Sequence, residues 1–474
     1  MPKRVAAIAL LLVVAGAAVG PIRSYDFFWH LATGRWIVEH RALPLYDPFA
    51  IASAHVPWIN GEWLWQVAAY FVPIAAVSWL NAIFVAAIFA IAFWFAEIDW
   101  PLALIVTAFA FAGASDRLGI RPAEAAALLL VCALALLGSK LAVSRLTIAY
   151  AIVTIVWINV HPSALLAPVF AIATVLIEER RWIVAVASAA ALLINPFGWR
   201  AIAAPMQLTQ LVRSGEFVNA EWLASAPAIF PLLYVTIAGF VLAFVFTKQK
   251  RDALWRVAVF AILALLAIEH VRNQGLYFAA MPLLFPNARL PRYAAILAIA
   301  PIAWVCAHAD HFTGIDAAHF PVRAVARLQQ SGLQGNIYNA DQFGGYLEWV
   351  FYPHRRVLTD GRNELFRTFI AEDALAHRDS RAWHALQQKY RVAIAVDDYQ
   401  PPMHVIDVAT GSARDLPASL VRYPRNAWAL IAFDDAAMVF AKRAAFPPDA
   451  VARLELRGVV PDAPGMPRAP RQRG

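Results

Sequence analysis

The chain has 474 residues, of which 61% are hydrophobic and only 15% charged, with a formal net charge of +8 and a mean hydropathy of +0.58. That usage excludes an ordinary soluble globular protein and points to a polytopic α-helical membrane protein. The positive balance suits anionic lipid headgroups; the tail has no basic helix or aromatic-basic platform, so nucleic acid is not an expected partner.

Hydrophobic runs approaching the roughly 20 residues that cross a bilayer core are read at 5–22, 76–96, 100–115, 123–139, 147–160, 163–177, 182–195, 228–247, 253–268, 272–286 and 293–308. That makes about eleven spans, some short enough that two neighbours could be one broken helix. Residues 63–96 contain no Asp, Glu, Lys or Arg, but 63–75 carries Trp63, Trp65, Gln66 and Tyr70 before Pro73 and reads as interfacial.

Basic residues set the orientation. Lys3 and Arg4, Lys140 and Arg145, Arg180 and Arg181, Lys248, Lys250 and Arg251, and Arg289 and Arg292 all fall on one side, the cytoplasmic one. The opposite face then holds 23–62, 116–121, 161–162, 195–227, 269–273 and everything after 309. Arg23, Arg35 and Arg41 count against this assignment, but Asp26, Glu39, Asp47 and Glu62 offset them. Ala15-Gly16-Ala17 also resembles a cleavage site, the alternative being that the first run is a signal peptide. The only two cysteines, Cys132 and Cys306, lie inside apolar runs and imply neither a disulfide framework nor a zinc site.

Charge returns near residue 309. A helix is expected at 321–333, strands at 336–339, 356–359 and 392–396, helices at 366–377 and 381–390, and a hairpin of 428–433 and 436–441 joined by Asp434-Asp435. The expected organisation is a membrane module over 1–309, an extracytoplasmic α/β domain over 310–456 and a disordered tail over 457–474. Gly344-Gly345 reads as a tight turn and Asp360-Gly361 as a strand end. No internal repeat, P-loop, dinucleotide fingerprint or nucleophile elbow is present.

The chemistry concentrates in the first outer loop. In Ser24-Tyr25-Asp26-Phe27-Phe28-Trp29-His30 an acid and an imidazole lie one helical turn apart. Asp26 is the candidate base and His30 its catalytic neighbour; the plainer readings are a helix cap and an interfacial histidine. Asp47, before Pro48, and Glu62, before Trp63, are substrate-binding candidates that could instead serve a turn or a helix start. Arg121, His161, His270 and Arg272 lie at the same membrane edge, where ionisable groups are functional candidates even though long side chains also snorkel to headgroups.

An acid directly after the first span, the following Trp29-His30-Leu31-Ala32-Thr33-Gly34-Arg35, the Leu43-Pro44-Leu45-Tyr46-Asp47-Pro48-Phe49 stretch and an aromatic-rich close to the loop together resemble the GT-C superfamily of polyprenyl-phosphate-dependent glycosyltransferases. Asn339-Ala340-Asp341-Gln342-Phe343-Gly344-Gly345 and Thr359-Asp360-Gly361-Arg362 are similar to an uncharacterised bacterial multi-spanning branch related to it. The resemblance implies a hexosyl- or pentosyltransferase of the bacterial inner membrane that moves a sugar from a polyprenyl-phosphate donor to a lipid, glycan or protein acceptor. It places Asp26 at the catalytic acid of the first outer loop. Arg121, His161 and Arg272, at the same membrane edge, are the candidate cations for the leaving phosphate, and in the superfamily the outer domain helps to bind the acceptor. The paired-acid motif frequent in the superfamily is missing, since Tyr25 and Phe27 flank Asp26. No metal ligand is assigned on that basis, and the resemblance leaves a divalent cation, Mg or Mn, open as cofactor. The competing classes are a transporter or flippase of a lipid-linked glycan, which should show mid-span polar residues and related halves, and a non-catalytic lipid- or glycan-binding scaffold.

Overall fold

The computed structural model describes residues 2–213, 220–247, 250–310, 312–406 and 411–463. Contacts divide the chain into two compact units, one of Met1–Ser24 with Ile59–Gly314 and one of Tyr25–Trp58 with Ile315–Gly474. The sequence had suggested a cut near 309 with 23–62 inside the membrane module; by contacts, most of that loop groups with the C-terminal part.

In chain order the helices are α1 (Pro2–Ala18), α2 (Asp26–His40), α3 (Trp63–Tyr70), α4 (Ile74–Phe95), α5 (Trp100–Ala114), α6 (Pro122–Leu137), α7 (Val143–Val160), α8 (Leu166–Ala173), α9 (Trp182–Ala191), α10 (Arg200–Arg213), α11 (Pro231–Phe246), α12 (Lys250–Glu269), α13 (Gln274–Leu284) and α14 (Ile299–His308). All but α2 belong to the first unit. Its centre is α13, buried along its whole length and packed against α4, α5, α6 and α12. A helix apolar on every face can only be satisfied by such surroundings.

Helical segments stand where each hydrophobic run was read. Among the described residues, two helices are long and apolar enough to cross a bilayer, Ile74–Phe95 and Val143–Val160. Trp100–Ala114, Pro122–Leu137, Pro162–Leu176, Pro231–Phe246 and Arg292–His308 are apolar but shorter. Two of these begin or end in 3-10 turns, at Pro162–Leu165, Thr174–Leu176 and Arg292–Ala298. Within 195–227, read as a loop, lies α10, whose Pro205 and polar face hide its periodicity from a hydropathy scan.

The second unit continues with α15 (Val322–Gln330), α16 (Asp341–Phe351), α17 (Arg367–Ala376), α18 (Ser380–Lys389), α19 (Ala418–Arg422) and α20 (Pro448–Leu454). Its strands are β1 (Asn336–Asn339), β2 (Val392–Asp398), β3 (Met403–Ile406), β4 (Ala413–Leu416), β5 (Trp428–Phe433) and β6 (Ala437–Lys442). The main sheet runs β1-β2-β6-β5, with β1 parallel to β2 and the other pairs antiparallel; β3 and β4 form a separate hairpin. β2 is buried over Val392–Asp397, as a central strand covered on both faces must be. Asp434, in the β5–β6 turn, accepts from Ala436 N and Ala437 N through one oxygen and from Arg323 N and Ala324 N through the other, so it closes the hairpin and caps α15.

Two expectations for this unit are corrected. Residues 341–351 are a helix, and Gly344-Gly345 lies in its middle. A Cβ on Gly344 would fall 2.0 Å from Thr359 O, and one on Gly345 2.9 Å from Trp29 N, so the pair lets two other backbones lie against the helix. Residues 356–359 form no strand; Val357 makes only isolated bridges to Ala50 and Ile337. Of the tail read as disordered, 464–474 lies outside the described residues.

Candidate active site

In the second unit, Asp26 is the first residue of α2, where the helix dipole favours an acid. It is not the cap; that position is Tyr25, which makes no side-chain capping bond. The half-buried Asp26 carboxylate accepts from Trp29 Nε1 at 3.3 Å, and a Cβ at Gly361 would lie 3.1 Å from its Oδ1. His30 is 2% exposed, its ring 3.5 Å from that of Trp29, so it is a core group of α2 and not a group open to solvent. Thr33, on the same face, is buried and donates to Trp29 O.

Behind Asp26 lies a cluster of charges with almost no solvent contact. Arg362 Nη2 donates to Asp47 Oδ2 at 3.1 Å and to Glu348 Oε1 at 3.2 Å and pairs with Asp360, whose two oxygens also accept from Nε at 2.9 and 3.0 Å. The guanidinium carbon is 4.5 Å from the Trp58 ring centre, 5.3 Å from Trp29 and 5.8 Å from Phe49. Asp47 additionally accepts from Phe49 N and Ser53 Oγ, which folds 47–53 into a turn. Asp47, expected to bind substrate, thus has its carboxylate engaged inside the protein and is 3% exposed.

Three buried carboxylates around one guanidinium cannot all be ionised cheaply. Burial and the neighbouring Asp360 push the Glu348 carboxyl well above the usual range, making it the protonated member. Burial pulls Asp360 the same way, but the Arg362 charge and the hydrogen bond from Glu348 hold it below its ordinary value. Arg362 is raised: burial alone would lower it, and the three acids outweigh that.

Asp47, Glu348 and Asp360 each bring an oxygen within 4.8 Å of the others, which is a possible metal-ligand set by spacing. The residues do not fit a divalent cation, because the position they surround is taken by Arg362 Nη2 and a cation there would displace a buried guanidinium. The cluster is an arginine site.

The first unit gathers the other sequence candidates. Arg121 Nη1 bonds Glu221 Oε1 at 2.6 Å, and the Arg272 guanidinium lies 4.6 Å from the Trp222 ring centre. Burial raises the Glu221 carboxyl, but Arg121, Arg272 and Arg117 together bring it below the ordinary value. His161 Nδ1 accepts from Ser163 N at 3.1 Å, leaving Nε2 4.0 Å from Glu62 Oε1. Burial and the Arg272 and Arg121 charges push the imidazole down to about 3, so His161 is neutral in this arrangement. His270 Nδ1 donates to Trp222 O at 2.7 Å and so holds the turn that presents Glu221. Glu62 precedes α3, where Asn60 and Gln66 close the turn with a reciprocal amide pair at 2.7 and 3.0 Å.

Arg121, His270 and Arg272 therefore converge around Glu221 and Trp222, with His161 near enough to feel both arginines. The sequence reading missed Glu221, Trp222 and Arg117. The signal available was an acid beside a Trp in a loop otherwise poor in acids, too weak without the fold. It also missed Arg362, Glu348 and Asp360 as one group, since 315 positions separate Asp47 from Arg362.

No protein-family model matches the chain, and no curated protein matches it in sequence. Solved structures do. The archaeal oligosaccharyltransferase AglB from Archaeoglobus fulgidus, in complex with an inhibitory peptide and a dolichol-phosphate, superposes with a TM-score of 0.54 at 12% identity, covering 88% of this chain and 74% of that one. The Archaeoglobus fulgidus oligosaccharyltransferase tethered to an acceptor peptide containing the NVT sequon gives 0.53 at 10% identity with the same coverage. The chain shares its fold with these two oligosaccharyltransferase structures.

Proposed function

We propose that this protein is a membrane glycosyltransferase that moves a sugar from a polyprenyl-phosphate donor to an acceptor at the outer face of a bacterial inner membrane. The observation that carries the reading is the oligosaccharyltransferase-like fold over 88% of the chain. One neighbour binds a dolichol-phosphate and the other an acceptor peptide, which supports a lipid-linked donor here. In this reading the apolar helices make about eleven crossings and the basic loops face the cytoplasm.

The chemistry asks for a base and for cations. The Asp26 carboxylate takes the proton of the acceptor hydroxyl or amide as its heteroatom bonds to the anomeric carbon. The bond from that carbon to the phosphate oxygen breaks, and the polyprenyl phosphate leaves with the electron pair. Arg121 and Arg272 bind the phosphate, each charge-assisted contact contributing on the order of 1.5 to 3 kcal/mol. Neutral His161 serves as a hydrogen-bond donor through Nε2. The second unit contributes to acceptor binding. No step is assigned to a metal.

Binding tests this directly. The purified protein in detergent micelles should bind polyprenyl phosphate saturably and the uncharged polyprenol of the same length at least tenfold more weakly. Equal affinity for the two would remove the phosphate from the recognition and with it this assignment.

A further inference from the structure

Two groups beside Asp26 both answer to Arg362. The first is Trp29: its Nε1 donates to Asp26 Oδ1 at 3.3 Å while its ring lies 5.3 Å from the Arg362 guanidinium and 6.4 Å from Trp58. The second is the 359–362 turn, where Asp360 Oδ1 accepts from Arg362 N at 2.7 Å and fixes Gly361 between them. At Gly361 even a methyl group would press on the Asp26 carboxylate. Asn339 anchors the same turn from β1, accepting from Leu358 N at 3.1 Å and donating to Thr359 O at 2.9 Å.

We propose that Arg362 is a positioning residue for Asp26, setting its carboxylate through the Trp29 indole and the Gly361 backbone. The inference rests on the reading of Asp26 as the base. Its physical basis is rigidity. A guanidinium with three carboxylate partners and three aromatic rings has one arrangement available to it, and so do the ring and turn that lean on it. A base must stay within hydrogen-bond reach of the proton it takes. Gly361 has a second consequence: with no side chain on an exposed turn, it leaves the space beside the carboxylate open to an acceptor group. Glu364, two residues beyond the turn, is near enough to Asp26 for the two acids to repel.

The test reads Asp26 itself in the full-length protein in micelles. Carbodiimide-driven coupling of an amine needs the protonated carboxyl, so labelling of the Asp26 peptide, followed by mass spectrometry across pH, traces its titration. Trp29→Phe keeps a ring on Arg362 and removes the indole N–H. A donor to a carboxylate favours the charged form, so the curve should move to higher pH by about half a unit or more. Arg362→Lys keeps the charge without the planar fork and should move it the same way. Gly361→Ala should slow labelling at every pH by crowding Oδ1. A Trp29→Phe curve that coincides with the parent overturns the proposal, and so does an unmoved curve in a folded Arg362→Lys protein. The outcome is separable from the functional reading. Asp26→Asn with full activity would remove the base but leave the labelling shifts standing, whereas unmoved curves would remove the positioning role whatever the activity.

Discussion

Replacing Arg362 by Met should unfold the second unit far more easily, and the size of the effect follows from what the guanidinium touches. Breaking a buried ion pair from one side costs roughly 3–5 kcal/mol, because the partner charges stay behind. Here the stranded charges are the buried Asp47 and Asp360 carboxylates, while the protonated Glu348 loses its hydrogen-bond donor. The lost contact with Trp58, at 4.5 Å, adds about 1–2 kcal/mol for a desolvated cation over a ring. At about 2–4 °C per kcal/mol for a unit of this size, the transition should fall by roughly 10–20 °C at pH 7.5. The assay is thermal unfolding followed by tryptophan fluorescence in micelles, with Trp29 and Trp58 as the reporters beside the site. The effect should also depend on pH. In the parent, Asp360 has a depressed pKa, so its stabilisation is present above the unfolded value of about 3.9 and is lost as pH falls through the folded one. In the variant the stranded acids neutralise on acidification. The gap between parent and variant should therefore narrow toward pH 4. A transition within about 3 °C of the parent at pH 7.5, or a gap that widens in acid, would refute the reasoning.

Glu348→Gln should remove a penalty: a carboxyl with a raised folded pKa stabilises below its unfolded value of about 4.3 and loses that contribution as pH rises, at up to about 1.4 kcal/mol per pH unit. The variant should thus gain on the parent as pH rises above the unfolded value of about 4.3 in unfolding scans, and a difference that stays constant with pH there would mean that Glu348 is ionised in the folded protein. Arg121→Ala or Arg272→Ala should weaken polyprenyl-phosphate binding by roughly tenfold, with Lys restoring only part; binding within twofold in both would dissociate these residues from the phosphate. For topology, single cysteines at the exposed Arg41 and Lys140 should label from opposite sides of sealed vesicles, whereas Thr33 is buried and unsuited to the purpose. Labelling of both from one side would contradict the orientation.

Much of the helical plan was legible because hydrophobic runs bounded by Pro and charged residues announce themselves. α4, α5 and α6 begin and end within a few residues of the apolar stretches, and α5 and α6 carry Pro in the first turn where its missing N–H costs nothing. The β5–β6 hairpin was legible for a local reason too, its two strands meeting at Asp434-Asp435. α16 was hidden because Gly344-Gly345 signals a turn to any local reading; the glycines are there for the approach of α2 and the 359–361 backbone, a tertiary cause. The site divides the same way. Asp26 stood out because it follows an apolar run and opens a helix. Arg362 did not, because its partners come from the first outer loop and from α16, and nothing in Thr359-Asp360-Gly361-Arg362 shows that the arginine is buried. His161 looked like a cation at a membrane edge, but burial beside two arginines leaves it neutral.

The central claim is tested most directly by turnover. Synthetic polyprenyl-phosphate-linked hexoses and pentoses, offered with cell-envelope acceptors to the purified protein and to Asp26→Asn, should lose their sugar in the parent. The amide variant should be slower by roughly 100- to 10,000-fold, since it keeps much of the hydrogen bonding but cannot accept the proton, and it should unfold at an unchanged temperature. Transfer by Asp26→Asn within a few-fold of the parent would contradict the assignment of the base, and a parent that binds the lipid phosphate but releases no sugar would contradict the enzyme.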